Sequence, residues 1–281
     1  MAEILTFTAL GDNFIHLIVG DGGDAVVIDP GDAGPVLRTL ENSGLRLIVA
    51  FVTHHHGDHT AGLSKLKAAT GCRIYGPDSR HISPLDHRVY DGLTLDLPFG
   101  PIHVIATPGH TRTSVCYFLP QTPAGPLGQP PVNAGGTGPS APQARQTTGP
   151  ALFTGDTLFT AGCGRLFECD ASAMHRSLAK IAALPNETLI YPGHDYAVED
   201  YMFTLSIDPH NQAAQQALRH LRDAQAQGRP IVPTTLAMEK QTNLFLRTDD
   251  PALAATLGVS AHDPAAVLAA LRRRKDAFQP S

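Results

Sequence analysis

Tryptophan is absent from this 281-residue chain, aromatic residues make up only 6% and charged residues only 17%. With 42% hydrophobic residues, the chain is nevertheless too apolar to remain disordered. It lacks any run of 18 apolar residues, so no membrane span is expected. A cationic excess is missing as well. Twenty-one Lys and Arg against 26 Asp and Glu leave a net charge of −5, which argues against a nucleic-acid partner and for a small ligand. Cysteine is sparse: Cys72, Cys116, Cys163 and Cys169 form no CxxC pair and cannot staple a disulfide scaffold, so reduced thiols and a cytoplasmic setting are expected. Met1-Ala2-Glu3-Ile4 carries no basic patch followed by an apolar stretch, so no secretory leader is expected.

What the chain has in quantity is glycine (26), proline (23) and histidine (14). The first 30 residues read as short strands bounded by Gly and Asp, with Gly22-Gly23 closing a hairpin. Ala33 to Asn42 has helical spacing and stops near Gly44, and Leu45 to Val52 is apolar enough for a strand buried on both faces. That order points to a layered α/β architecture. Between Pro120 and Pro150 the composition changes to 8 Pro and 6 Gly in 31 residues with one charge. Such a stretch cannot offset its ordering entropy, so residues 121–150 read as an inserted mobile loop, an elongated turn joining strands at Tyr117-Phe118-Leu119 and Ala151 to Thr154. After Tyr196 the pattern becomes helical, at Asp200 to Ile207, Pro209 to Gly228 and Pro264 to Phe278. Two domains are therefore expected, 1–195 and a smaller helical 196–281.

The chemistry concentrates in Thr53-His54-His55-His56-Gly57-Asp58-His59. Residues two apart at a strand end share a face, so His54 and His56 aim at one point while His55 points away. Asp58 and His59, past the turn that Gly57 permits, sit where a helix over Thr60 to Ala69 begins and offer a second donor pair. A lone His would be a hydrogen-bonded side chain; four His/Asp donors in six residues read as metal ligands. The same grammar recurs where apolar runs stop at Gly109-His110, Gly155-Asp156 and Gly193-His194. Strand ends of α/β sheets open onto one crevice. The donors then divide as His54, His56 and His110 for one metal, Asp58, His59 and His194 for another, and Asp156 bridging. Imidazole and carboxylate without thiolate suit Zn, Fe or Mn, with a bridging water as nucleophile. Asp29, before Pro30, is either a partner orienting a ligand His or a turn former. Cys163 between two glycines reads as a small buried side chain in a tight turn rather than a nucleophile.

The Thr53 to His59 segment resembles the THxHxDH signature of the metallo-β-lactamase superfamily, and His110, Asp156 and His194 match its other ligand motifs. Within it, Gly155-Asp156-Thr157-Leu158-Phe159, Gly162 to Glu168 and Gly193-His194-Asp195-Tyr196 resemble glyoxalase II, the hydroxyacylglutathione hydrolases. The likeness extends to Asp12 to Ile15, to Glu239-Lys240, Asn243 and Phe245 to Arg247, and to Arg273 to Asp276 with Phe278. It implies a four-layer αββα metallo-β-lactamase fold with a smaller C-terminal α-helical domain. It further implies two divalent metal ions, zinc first with iron or manganese as alternatives, and a monomeric enzyme. The implied reaction is hydrolysis of S-(2-hydroxyacyl)glutathione, chiefly S-D-lactoylglutathione, to glutathione and a 2-hydroxy acid, the second step of methylglyoxal detoxification. A metal-bridging hydroxide would attack, with Asp58 as a proton acceptor. The glutathione contacts carried over are Arg165, Tyr196, Arg272 and Lys275. Arg272 and Lys275 also share a face of the last predicted helix, where the alternative is a solvated cationic helix end. Two places depart from the family: Arg112-Thr113 follow His110-Thr111 where Gly-His is common, and Phe167 stands where an aromatic hydroxyl is common. Competing readings are a mononuclear-iron glutathione persulfide dioxygenase, a broader thioesterase, or a metal-sequestering or nucleic-acid-binding module; the full second donor set and the terminal basic helix favour the hydrolase.

Overall fold

The computed structural model describes residues 2–77, 80–120, 143–146 and 149–280. The chain forms two compact units, Met1–Ala106 with Val115–Gly155, and Thr107–Ser114 with Asp156–Ser281.

In the first unit a mixed sheet is ordered Gln143–Gln146, Ala2–Ala9, Asn13–Gly20, Asp24–Ile28, Arg46–Phe51, Arg73–Pro77 and His87–Val89. Pairing is antiparallel as far as Asp24–Ile28 and parallel beyond it. Gly23, at φ 80°, closes the hairpin expected at Gly22-Gly23. The helix Ala33–Ser43 starts at Asp32, whose side chain accepts from the Gly34 amide, and ends at Gly44 in the left-handed region. Its Val36 and Leu40 join Leu63 and Leu66 of the helix Leu63–Thr70 against Leu17, Val27, Ala50 and Val52 of the sheet. The sheet's apolar run thereby buries the floor from which the His54 segment emerges.

A second set of strands in this unit runs in the order Ala151–Gly155, Val115–Leu119, Gly100–Ala106 and Thr94–Leu97. Ala151 pairs antiparallel with Leu119, joining the two strands that flank the proline- and glycine-rich stretch. Tyr117 ties this sheet to the first: its hydroxyl donates to the Val52 carbonyl at 2.7 Å, and its ring lies 4.6 Å from that of Phe51. Most of the stretch read as a mobile loop, 121–142 and 147–148, lies outside the described residues. Within it, Gln143–Gln146 forms a strand along Ala2–Ala9 where a continuous turn was expected. Its four residues carry no apolar alternation, so only the backbone partner reveals it.

The second unit holds the strand pair Leu189–Pro192 and Thr234–Thr235, and a small hairpin of Leu158–Phe159 with Gly162–Cys163. Its helices are Ala171–Ala182, Ala197–Ile207, Gln212–Ala226, Leu236–Thr242, Pro251–Leu257 and Pro264–Asp276. Asp170, Asn211, Thr235, Asp250 and Asp263 each cap a helix start with a side-chain oxygen. The two short helices at Leu236 and Pro251 went unread in the sequence, because seven residues show too little periodicity. Among the described residues no helix is long and apolar enough to cross a membrane.

One local correction bears on the metal-ligand segment. The helix expected over Thr60 to Ala69 is broken: Asp58 and His59 lie in a separate turn, Gly57–Thr60, and the helix resumes at Leu63. Gly62 sits at the break, its amide donating to the Pro30 carbonyl at 2.9 Å, and a Cβ there would stand 2.4 Å from that oxygen. Gly62→Ala should therefore cost about 1–3 kcal/mol, seen as a lower midpoint of chemical denaturation. Gly22→Ala, where an added Cβ meets nothing within 4 Å, should cost far less.

Candidate metal centre

In the first unit the parallel strands Asp24–Ile28 and Arg46–Phe51 end side by side. Asp29 follows the first of them at φ 52°, a left-handed conformation unusual for a residue with a Cβ. That turn aims its carboxylate at the end of the neighbouring strand. Oδ1 accepts from the Thr53 amide at 2.7 Å, and Oδ2 accepts from the Thr53 hydroxyl at 2.7 Å and from His59 Nδ1 at 3.0 Å. His59 is buried, so its Nδ1 proton is committed to Asp29 and its Nε2 lone pair is left to face a ligand position. Thr53, having given its proton to Asp29, receives His54 Nδ1 at 3.1 Å, which fixes the His54 tautomer in the same way. Of the two roles open to Asp29, ligand orientation is the one its bonds describe.

His54 Nε2 lies 3.0 Å from His56 Nδ1, so the two rings turn nitrogens toward each other as the alternation predicts. Asp58 receives Asn13 Nδ2 at 3.1 Å on Oδ2, which stands 3.5 Å from His59 Nε2.

The other three candidate residues, His110, Asp156 and His194, lie in the second unit. Asp156 lies between two imidazoles, with Oδ2 at 3.3 Å from His110 Nε2 and Oδ1 at 3.4 Å from His194 Nε2. His110 Nδ1 donates to the Arg165 carbonyl at 2.9 Å, again leaving Nε2 as the donor atom. Gly164 is required beside this pair, since a Cβ would meet the Asp156 carbonyl at 1.9 Å. Arg112 and Thr113 stand where the family pattern has Gly-His; the His110 loop is closed by the Thr111 hydroxyl, which bonds Ser114 at 2.7 Å, and by the Arg112 amide, which donates to Glu168 at 2.9 Å.

These residues fit a divalent ion. Donors bound at about 2.0–2.1 Å in a tetrahedral array stand about 3.3 Å apart, close to the spacing of each imidazole–carboxylate pair above and longer than a good hydrogen bond. Each of the seven side chains belongs to a His/Asp grouping able to hold a metal ion. Fixed tautomers and the lack of thiolate complete the fit.

The comparisons with known proteins agree. The Metallo-beta-lactamase superfamily profile matches residues 10–194, and the Hydroxyacylglutathione hydrolase C-terminus profile matches 195–278. The chain is 39% identical to the hydroxyacylglutathione hydrolase of Chromohalobacter salexigens, covering 99% of this chain and 100% of that protein. It is 37% identical to that of Ruegeria pomeroyi, covering 98% and 99%. The chain belongs to the hydroxyacylglutathione hydrolase family. Its fold is the superfamily's: ETHE1 from Myxococcus xanthus superposes with a TM-score of 0.61 at 25% identity, covering 96% of this chain and 90% of that one.

The four residues that the family pattern assigns to glutathione all lie in the second unit. Arg165 is exposed, its guanidinium 4.9 Å from the Phe167 ring centroid, and Phe167 is 56% exposed with its ring 5.2 Å from His110. Tyr196 stacks on His194 with centroids 4.9 Å apart and meets the Phe159 edge at 5.2 Å. Arg272 and Lys275 are buried rather than solvated. Arg272 Nη1 donates to the Cys163 carbonyl at 2.7 Å and Nε to Asp276 at 3.0 Å, while Lys275 pairs with Glu199 and Asp200. Cys163 is buried and its thiol is pushed up to about 11, as expected of an inert small side chain.

Sequence reading missed the buried acids behind this region. Glu239 Oε2 accepts from the Ala161 amide at 2.8 Å and from Asn243 Nδ2 at 2.9 Å, and Asn243 also donates to the Phe159 and Gly162 carbonyls. Together they hold the hairpin turn, in which Ala161 has φ 62°. Asp200 is buried directly before the mostly apolar stretch Tyr201 to Leu205; a charge adjoining such neighbours was the available signal. Burial pushes Asp200 up to about 6 and Glu239 up to about 7.

Two outcomes follow from these contacts. Asp29→Asn should weaken metal binding by about 10–100-fold, read by metal titration, because the amide cannot hold both imidazoles in the required tautomer. Glu239 keeps a proton in the folded state that the unfolded chain has already lost above about pH 5, so its contribution to stability declines as pH rises toward 7. Relative to wild type, Glu239→Gln should remove a slope on the order of 1 kcal/mol per pH unit over that window, measured by denaturant unfolding at pH 5, 6 and 7.

Proposed function

We propose that the chain hydrolyses S-(2-hydroxyacyl)glutathione, S-D-lactoylglutathione foremost, to glutathione and the 2-hydroxy acid, with two divalent metal ions, zinc in the cell. The observation that carries this is full-length similarity to relatives named hydroxyacylglutathione hydrolase, with every His/Asp donor of the motif present. His54, His56 and His110 would hold one ion, Asp58, His59 and His194 the other, and Asp156 both, a role its two opposed imidazole neighbours favour. Bound divalent ions would supply water acidified to a pKa of about 7 and a Lewis acid for charge developing at the thioester carbonyl.

The chain's own residues do the positioning. Asp29 and Thr53 fix His59 and His54, and the Arg165 carbonyl fixes His110. Asp58, held by Asn13 and part-exposed, would accept a proton. The leaving thiol, with an ordinary pKa of about 8.5, departs as thiolate without a strong general acid. Residues 1–195 would carry the reaction and 196–281 would hold glutathione, with Arg165, Tyr196, Arg272 and Lys275 as contacts.

Asp156→Ala should lose bound metal and S-D-lactoylglutathione hydrolysis together, the latter by about 100-fold or more. A variant with full metal content and full turnover would refute the bridging role. Wild-type enzyme that cleaved a thioester lacking glutathione as fast as S-D-lactoylglutathione would refute the substrate assignment.

A further inference from the structure

Lys275 carries more than its share of partners. Its ammonium pairs with Glu199 and lies 3.1 Å from Asp200 Oδ1, and the lysine side chain is only 8% exposed. The neighbouring Arg272 spends donors on the Cys163 carbonyl and on Asp276. Two cations therefore face three carboxylates, so the cationic pair is already over-neutralised before any anionic ligand arrives. Glutathione brings two carboxylates of its own, and with Lys275 nearly enclosed beside its acids, one of them gains the ammonium most readily when a resident carboxylate turns away.

The two candidates differ in what leaving costs. Asp200 is 4% exposed, and its Oδ2, which has no hydrogen-bond partner, presses against Gly162, where a Cβ would stand 2.1 Å away. Without Lys275 it would be an uncompensated buried charge, a severe penalty. Burial already pushes its carboxyl up to about 6. Glu199, in the first turn of Ala197–Ile207, is 45% exposed at the same lysine, and its carboxylate can turn into water with little loss. Granting glutathione thioester hydrolysis, we propose that Glu199 is a built-in competitor for Lys275: it covers the ammonium in the free protein and is displaced by a carboxylate of the substrate, so that it sets affinity for the glutathione moiety. Asp200 stays in place and keeps Lys275 aligned.

The test is Glu199→Gln in the metal-loaded, full-length protein. S-methylglutathione, a thioether that cannot be hydrolysed, should bind about three- to tenfold more tightly by calorimetry, and KM for S-D-lactoylglutathione should fall by a similar factor with a much smaller change in kcat. The gain should vanish with one of the two monoamides of S-methylglutathione, identifying the carboxylate that takes the site. Glu199→Asp, whose shorter arm reaches Lys275 less well, should shift binding in the same direction and covers the case in which the glutamine variant folds poorly. Unchanged or weaker binding in both variants, with normal wild-type hydrolysis, would overturn the competitor role alone. Wild-type protein that neither binds S-methylglutathione nor hydrolyses the thioester would overturn it together with the function it rests on.

Discussion

Asp29 fixes two of the four candidate His/Asp side chains that the first unit carries. It is buried, it stands at φ 52°, and its amide donates to the Phe51 carbonyl of the adjacent strand. The left-handed turn costs roughly 1–2 kcal/mol for a residue with a Cβ, and the sheet core of Val27, Ala50 and Val52 beneath it holds that strain in place. In return one carboxylate takes three donors and fixes two imidazoles, His59 directly and His54 through the Thr53 hydroxyl. Imidazoles with settled tautomers need no reorganisation when a cation arrives, which is why the outer contacts matter to affinity as much as the donor count does.

The second unit solves a different problem, that of holding a hairpin whose turn contains a strained Ala161 and which runs on through crowded Gly162 and Gly164. Asn243 and Glu239, some 80 residues downstream, bind its backbone at Phe159, Ala161 and Gly162. Arg272 reaches the Cys163 carbonyl from the last helix. The helical segment is thus the clamp on the loop that carries Arg165 and Phe167, and it achieves this with acids and cations that are individually costly to bury. That cost explains why the buried acids have raised pKa values and why Asp200, Lys275 and Glu199 come as a group.

The seven candidate His/Asp side chains stood out in the sequence because their signal is local: a strand end with a period-two His pair, then an apolar run, a Gly and a His or Asp, three times over. The strand and helix order of the first unit followed from apolar runs and from caps such as Asp32 and Gly44. The break at Gly62 was not legible, since it depends on the Pro30 carbonyl some thirty residues earlier rather than on helical propensity. Asp29 was ambiguous for the same reason: a turn former and a ligand-orienting residue look alike until the neighbouring strand is in register beside it. The pairing of Lys275 with Asp200 joins residues 75 apart, and helical spacing alone gave Arg272 and Lys275 a solvated face they do not have.

The described cysteines narrow how a thioester could be attacked here. Only the thiolate is an effective nucleophile, and activated cysteines sit in exposed, electropositive surroundings. Cys163 has Arg272 beside it, yet burial outweighs that cation and pushes its thiol up to about 11. Burial likewise raises Cys72 and Cys169, and Cys116 is wholly enclosed, its thiol turned to the Thr154 carbonyl. At neutral pH the thiols of Cys72, Cys163 and Cys169 retain the proton a nucleophile must shed. The same desolvation that silences them is what makes the His/Asp set effective: a carboxylate held between two imidazoles in a mostly buried setting interacts far more strongly with a divalent cation than it would in water. Burial thus argues against sulfur as the nucleophile.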